Sequence, residues 1–493
     1  MPDGDQAPHA QPHAQPHAQP HAQPHAQPHA QPHPQPHPLA PVRFPDRRQG
    51  VAMSGRLGRL LRLVLLVNLI GIGVALAIWL YGQEIAAVNG VRLRLAALMP
   101  RALVLPVLGL LGGAVAGALI TWWEPAAKGS GIVQVMLFMR GWPIPMGWRV
   151  AIVKLLASGI AIGSGIPVGP EGPSIQIGAS IALETARGTA KGTARASDPG
   201  NHQHQHQRLA VAIGSGAGLG AVFHAPLGGL AYILEELLKR ADGRSNALAV
   251  AASFAAVAWT RLLAQLPLVQ PLLVNLAPIS QYPSGVNEFR LIDGPQLCLL
   301  GALAGLAAVL YQRGILALRR RFRSWRLASW QLLPLVGLAV GAGWSLLPQA
   351  FDNPEGLCLD ALLGLDDAPW ALLVLAVQAA ATAVAVAAEA PGGFLAPALV
   401  VGASLGTLMQ QLLVSLFDYA PASLLFAGAA AFLGALTRTP LTAILLSFEL
   451  SKNYALLLPI GLCTLAAIAV ADLFERQSLF DLLREEAERE QAS

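Results

Sequence analysis

Apolar stretches of about twenty residues recur along this chain, and they constrain its fold more than any other feature. A helix needs roughly 20 apolar residues to cross a lipid bilayer. Only 12% of the residues are charged, whereas a soluble domain carries about 25%. The sequence therefore predicts an all-α membrane protein with many spans, and the candidate spans lie near residues 60–80, 102–122, 247–263, 298–316, 332–347, 372–388 and 456–471.

The N-terminal region repeats Pro-His-Ala-Gln and thereby places a histidine at every fourth position from His9 to His37. Proline at this spacing excludes a regular helix, and so polar a segment cannot bury a core. Residues 1–50 are therefore predicted to be a disordered tail. Spaced histidines can bind zinc, copper or nickel loosely, but nothing fixes a coordination geometry, so we assign no metal site.

Positive charge gathers at the ends of the apolar stretches. Arginines cluster within residues 47–62 and 319–326, and the formal net charge is +5. Positively charged flanks favour the cytoplasmic side of a membrane, which predicts cytoplasmic termini. A nucleic-acid surface is the alternative. The juxtamembrane position of the arginines disfavours it, and we expect no nucleic-acid partner.

The segment Gly169-Pro170-Glu171-Gly172-Pro173 places a carboxylate at the start of the apolar run 174–183. A helix N-terminus offers unpaired N–H groups and a partial positive charge, so it suits an anion. An ionisable residue at membrane depth is a functional candidate by default. Glu171 is therefore predicted to sit in, or to gate, an anion site. The alternative is an ordinary acidic residue at the start of a buried helix.

Two further features surround this segment. Gly129-Ser130-Gly131 forms a predicted bend whose backbone amides and hydroxyl can face a ligand, and a plain interhelical turn is the alternative. Lys154 lies within an apolar segment, where a cation is costly unless it faces water or a partner. It either raises the local potential for anions or extends to the membrane interface.

The membrane portion contains an internal repeat. Gly220, Pro226 and Glu235 recur as Gly434, Pro440 and Glu449, with 6 residues from glycine to proline and 9 from proline to glutamate in both copies. A second echo, with 5 residues from proline to glycine, pairs Pro173 and Gly178 with Pro397 and Gly402. Broken, Gly/Pro-interrupted helices at corresponding positions of two halves predict a transporter whose site lies where they meet. Gly392-Gly393 before the 394–397 helix start would supply the second half-helix.

Together these stretches resemble the CLC family of chloride channels and chloride/proton exchangers over roughly residues 55–490. The resemblance implies a homodimer with one pore per subunit, bound in the lipid bilayer. Each subunit is an inverted repeat of many tilted and partly spanning helices, here divided as 51–280 and 281–493. The matching segments are 128–132, 169–173, 223–227 through Glu235-Glu236, 393–397 and Asn453-Tyr454.

The resemblance also implies roles for single residues. Glu171 matches the gating glutamate, and Glu236 matches the internal proton-transfer glutamate of exchangers. The expected anion-binding residues are Gly129, Ser130, Gly131, Gly172, Phe394, Leu395 and Phe480. Ser130 would act through its hydroxyl, and Phe394 and Leu395 through their amides. The literal motif Gly163-Ser164-Gly165 is interpreted as a decoy.

The implied function is transmembrane transport of a small inorganic anion, chloride foremost, by proton-coupled antiport. Val133, Pro170 and Phe480 replace the family's usual proline, basic residue and tyrosine. Pro170 and Phe480 favour the alternative of a passive voltage- or pH-gated anion channel of the same fold. A remote alternative is an intramembrane enzyme that uses Glu171 and His224 as acid and base. No nucleophile motif supports it, and we expect neither enzymatic activity nor a cofactor. The short segment after Phe480 indicates a prokaryotic inner-membrane protein.

Overall fold

The computed structural model describes residues 53–191, 201–238, 243–265, 289–290, 292–345, 368–421 and 423–492. The predicted histidine-rich tail and the predicted repeat boundary at residue 280 lie outside these ranges. Within them the chain is helical, and no strand longer than an isolated bridge occurs there.

The helices follow one another closely, many of them too short to cross a bilayer alone. Two π-helical segments, Leu119–Trp123 and Ile233–Leu238, continue the second and seventh helices. The helices are α1 Met53–Leu98, α2 Arg101–Ala118, α3 Ile132–Arg140, α4 Trp148–Gly163, α5 Glu171–Lys191, α6 Asn201–Phe223, α7 Pro226–Tyr232, α8 Gly243–Ala264, α9 Asp293–Ser324, α10 Ser329–Trp344, α11 Ala368–Ala387, α12 Leu395–Phe417, α13 Leu424–Thr437, α14 Pro440–Ser451, α15 Leu457–Phe474 and α16 Leu479–Ala492.

Five helical segments in the described part are long and apolar enough to cross a membrane. They are Leu63–Leu98, Arg101–Trp123, Asp293–Ser324, Leu395–Phe417 and Tyr454–Phe474. Four of them correspond to predicted spans. The predicted stretches 247–263 and 372–388 form shorter apolar helices, and 332–347 falls largely in the 16-residue helix α10. The chain is thus a multi-pass membrane protein that combines full spans with partial ones.

The same glycine contact holds a helix pair together in each half. Gly178 of α5 lies against Gly214 of α6, and Gly402 of α12 lies against Gly428 of α13. At each of these positions a methyl group would overlap the facing backbone carbonyl. Small residues let helix backbones approach closely where lipid supplies no hydrophobic driving force. The two contacts occupy equivalent positions of the predicted repeat.

The two repeated glutamates make reciprocal contacts. Glu235 accepts hydrogen bonds from the N–H groups of Leu441 and Thr442, both at 2.7 Å, at the start of α14. Glu449 at the end of α14 accepts from the N–H of Gly228 at 2.8 Å, at the start of α7. Each half therefore caps a helix of the other half with the same residue. Reciprocal contacts of this kind follow from a two-fold relation between the halves.

A second reciprocal contact lies at the centre of the molecule. Gly169 and Gly393 are equivalent positions of the repeat, and each donates its N–H to the other's carbonyl oxygen at 2.7 Å. Equivalent residues meet in this way only near the axis that relates the two halves. The segments that follow, the starts of α5 and α12, are thereby brought face to face.

Candidate anion site

Three helix N-termini converge next to the Gly169–Gly393 bridge. They are the starts of α3, α5 and α12. A Cβ atom placed on Gly131 would lie 3.1 Å from the Gly172 carbonyl oxygen, and one on Gly172 would lie 3.0 Å from the Cα of Gly393. The backbones are therefore in direct contact. Because each N-terminus carries partial positive charge, their meeting point favours an anion without cationic side chains.

Glu171 occupies this meeting point with its own side chain. It is fully buried, and its Oε1 accepts the N–H of Leu395 at 2.7 Å. Its Oε2 is buried without a hydrogen-bond partner among the described residues. A methyl group on Gly169 or Gly393 would overlap the carboxylate. The carboxylate thus occupies the first N–H of α12, a donor of the kind that suits a free anion.

Ser130 lies at the more accessible end of the site. Its Oγ accepts the N–H of Ile132 at 3.2 Å, which leaves the hydroxyl hydrogen available for donation to an anion. Gly129 has a φ of +67°, and a Cβ atom there would meet nothing within 4 Å. The bend therefore borders open space and presents a hydroxyl donor.

Lys154 fixes the bend that carries Ser130. It is fully buried, so the alternative of an extension to the membrane interface is wrong. Its ammonium donates to the carbonyl oxygens of Ala127, at 3.0 Å, and of Gly129. The Gln176 side-chain amide donates to the Ala126 carbonyl at 2.9 Å. A carbonyl oxygen that faces an anion repels it. These carbonyl oxygens instead accept hydrogen bonds from Lys154 and Gln176.

Two phenyl rings stack beside the start of α12. Phe394 and Phe480 have ring centroids 4.5 Å apart and an interplanar angle of 30°. Neither ring is more than 1% exposed. Phe480 lies at the start of α16 and carries no hydroxyl. The Phe480 side chain therefore places an apolar ring beside the start of α12 and offers no hydrogen-bond donor there.

The adjacent glutamates of the seventh helix have different environments. Glu235 caps α14, as described above, whereas Glu236 is 5% exposed and lies in the π-helical segment Ile233–Leu238. Tyr232, one turn earlier, is also buried. Glu235 is thus a capping group, whereas Glu236 is a buried acid in the same helical region.

Two other sequence candidates lie apart from Glu171. Ser164 donates its hydroxyl to the Ala161 carbonyl at 2.8 Å and packs against Gly112 of α2. His224 sits in the turn between α6 and α7, and neither ring nitrogen has a hydrogen-bond partner in the part of the chain described. Glu171 and His224 are therefore not joined as the acid–base pair that the enzyme alternative requires.

Sequence reasoning missed Glu389, which joins the two anion-binding segments. Its backbone carbonyl accepts the N–H of Gly129 at 2.9 Å, and its carboxylate lies 3.0 Å from the Lys128 ammonium and 2.6 Å from the Arg319 guanidinium. Arg319 in turn contacts Glu486 of α16 at 3.0 Å. In the sequence, Lys128 directly precedes Gly129-Ser130, and Glu389 stands shortly before Gly392-Gly393. Nothing indicated that they meet.

The chain is similar to known anion transporters over most of its length. The family model described as voltage gated chloride channel matches residues 112–472. The H(+)/Cl(-) exchange transporter ClcA of Klebsiella pneumoniae subsp. pneumoniae is 27% identical over an alignment of 445 residues, and the match covers 86% of this chain and 88% of that protein. ClcA of Salmonella paratyphi B is 27% identical over 439 residues, 85% of each chain.

Solved structures show the same fold. A slow cyanobacterial Cl-/H+ antiporter has a TM-score of 0.75 and 26% identity, covering 88% of this chain and 99% of its own. A eukaryotic CLC transporter has a TM-score of 0.72 and 24% identity, covering 87% of this chain and 74% of its own. The fold prediction of a CLC-type inverted repeat is confirmed. With a family model that spans well over half its length, the chain belongs to the voltage-gated chloride channel family, the CLC proteins.

Proposed function

We propose that this protein exchanges chloride for protons across a membrane. The observation that carries the proposal is the Glu171 carboxylate on the Leu395 N–H, in the position suited to an anion. The relatives named H(+)/Cl(-) exchange transporters and the cyanobacterial antiporter support it.

Exchange follows from the chemistry of one carboxylate. While charged, Glu171 is held by the N-terminal N–H of α12 and excludes a free anion from that place. Protonation removes its charge and therefore most of its attraction to the helix end. The neutral side chain then leaves, and an anion binds to the amides of Phe394 and Leu395. Binding of a proton and binding of an anion are thereby linked.

The remaining site residues serve the two ions separately. The hydroxyl of Ser130, on its bend between Gly129 and Gly131, donates to the anion on the open side. Gly172 keeps the passage next to Gly393 free of side chains. Buried Glu236 passes protons between Glu171 and the aqueous phase, because it offers a titratable group on a separate element.

We propose that the Ser130 side faces the cytoplasm of a prokaryote and that the protein resides in the inner membrane. Five arginines lie within residues 319–326, at and just after the end of α9, and Arg319 contacts Glu389 beside the Ser130 bend, so an arginine-rich flank lies on this side. Both termini are then cytoplasmic. The active form is a homodimer with one pore per subunit, and the repeats span residues 51–280 and 281–493.

The test is purified protein in liposomes with simultaneous chloride and proton recording. We expect a chloride gradient to drive protons uphill, and Glu236→Ala to retain chloride flux while losing proton movement. Glu235→Ala, the matched neighbour, should retain coupling in the fraction that folds. Chloride flux without proton movement in the unaltered protein would contradict the antiport mechanism.

A second candidate function is passive anion conduction, favoured by the phenyl stack of Phe394 and Phe480. A site without the hydroxyl holds its anion less tightly, because a hydrogen bond to a charged group contributes about 1.5–3 kcal/mol. A weakly bound anion crosses more readily without the binding or release of a proton by Glu171. The same recording separates the two candidates, since conduction shows chloride flux that no proton gradient influences.

A further inference from the structure

Lys128 and Glu389 form an ion pair beside Ser130 that the transport scheme above does not use. The Lys128 ammonium lies 3.0 Å from the Glu389 carboxylate. Their side chains are 39% and 24% exposed, in contrast to Glu171, which is fully buried. The pair therefore lies at the accessible end of the site.

Space around the site increases from Glu171 towards this pair. Gly169 and Gly393 leave no room for a methyl group beside the Glu171 carboxylate. Gly129, directly after Lys128, borders space in which an added Cβ atom meets nothing within 4 Å. An anion that reaches Ser130 from the open side therefore comes next to the Lys128 ammonium.

The Glu389 carboxylate can leave Lys128 at little cost. A partly exposed ion pair is weakened by solvent and is readily exchanged. Glu389 also contacts Arg319 at 2.6 Å, and the Arg319 side chain is only 7% exposed. After leaving Lys128 the carboxylate thus keeps a cation. The Lys128 backbone stays in place, because its carbonyl accepts the Gln134 amide at 2.8 Å.

We propose that the Lys128 ammonium is an entry site for the transported anion and that the Glu389 carboxylate occupies it as a displaceable substitute. The proposal rests on the proposed anion transport. Glu389 would then do for Lys128 what Glu171 does for the N–H of Leu395. In both places a tethered carboxylate holds a cationic position until a free anion replaces it.

If Glu389 competes with the anion for Lys128, substitutions of the two residues shift chloride affinity in opposite directions, and the test measures both shifts. Chloride binding to the purified full-length protein is measured by titration calorimetry for Glu389→Gln and Lys128→Met. Removing the competing carboxylate should tighten binding about fivefold, the ratio that corresponds to about 1 kcal/mol at 25 °C. Removing the ammonium should weaken binding by a similar factor.

A purely structural role gives a different pattern. If the pair only ties the Ser130 bend to the 389–393 turn, both substitutions remove the same tie and shift affinity in the same direction. That result would overturn the proposal, and so would unchanged affinity in both variants. Glu184→Gln is the matched control, since the Glu184–Arg187 pair within α5 has side chains 25% and 39% exposed. Its affinity should equal that of the unaltered protein.

Calorimetry separates this inference from the proposed function. Chloride binding with opposite shifts, in a protein that moves no protons, would support the entry site and contradict proton exchange. Proton exchange together with affinity shifts in the same direction would support the proposed function and contradict the entry site. A complete absence of chloride binding in the unaltered protein would contradict both.

Discussion

The helices α5 and α12 begin at equivalent positions of the two halves and differ in their first residue. Both follow a glycine of the Gly169–Gly393 bridge. The first half then places Glu171, and the second half places Leu395, whose N–H the Glu171 carboxylate accepts. Glu171 thus binds the backbone of its own counterpart. The two facing helix ends therefore share a single carboxylate. We infer that one anion-binding position becomes free when that carboxylate leaves.

The capping glutamates teach the opposite lesson. Glu235 and Glu449 are the same residue in both halves, and each caps a helix of the other half. The first N–H groups of a helix have no partner within the helix, so each copy needs an acceptor there. In these two comparisons the glutamate shared by both halves builds the scaffold, whereas the glutamate present in only one half lies at the candidate site.

The largest effect is expected from removing the charge that distinguishes the halves. Glu171→Gln should abolish proton movement, while chloride flux continues, because a neutral amide neither competes as an anion nor carries a proton. Liposome flux with pH recording measures it. Glu184→Gln, on the same helix, is the control and should leave proton coupling intact. Proton-coupled flux that survives Glu171→Gln would show that the carboxylate is not the coupling group.

A methyl group at the bridge should have the next largest effect. Gly393→Ala would overlap the Glu171 carboxylate and force it off the Leu395 N–H. We expect the exchange rate to fall about tenfold or more, because a carboxylate that cannot return to the Leu395 N–H cannot displace the anion, and overpacking such a buried contact costs about 1–3 kcal/mol. Gly90→Ala, where an added Cβ atom meets nothing within 4 Å, is the matched control. Equal rates for both variants would contradict a sterically closed bridge.

Weakening either capping glutamate should lower the stability of the protein. Glu235→Gln and Glu449→Gln each weaken charge-assisted hydrogen bonds to backbone N–H groups, at about 1–3 kcal/mol. Glu235 also accepts the Thr442 hydroxyl at 2.7 Å, so its substitution should lower the melting temperature more. Thermal unfolding in detergent measures both. A loss confined to one variant would show that the other cap does not stabilise the protein.

The smallest effect is expected at the stacked phenyl rings of Phe394 and Phe480. Phe480→Tyr adds a hydroxyl to a ring that stacks on Phe394. If the hydroxyl reaches the anion, chloride affinity should rise by up to about tenfold, within the range of a hydrogen bond to a charged group. Titration calorimetry measures the change, and Phe322→Tyr on α9 is the control. Unchanged affinity would mean that the ring does not line the anion position.

The sequence predicted those features that depend on local patterns. Hydrophobic stretches indicated the helical membrane fold, and the spacing around Pro226 and Pro440 indicated the repeat. The span Leu395–Phe417 escaped notice because glycine, serine, threonine and glutamine interrupt its apolar residues. The Lys128–Glu389 pair and the Lys154 contacts were not predictable, because tertiary folding brings distant segments together.

The central claim is that the Glu171 carboxylate stands in for an anion on the Leu395 N–H. The most direct test is a crystal structure of Glu171→Gln grown in bromide, with anomalous diffraction locating the ion. We expect a bromide within hydrogen-bond distance of the Leu395 amide, at the position that the carboxylate leaves. Bromide bound elsewhere, with the Leu395 amide occupied by water or by protein, would contradict it.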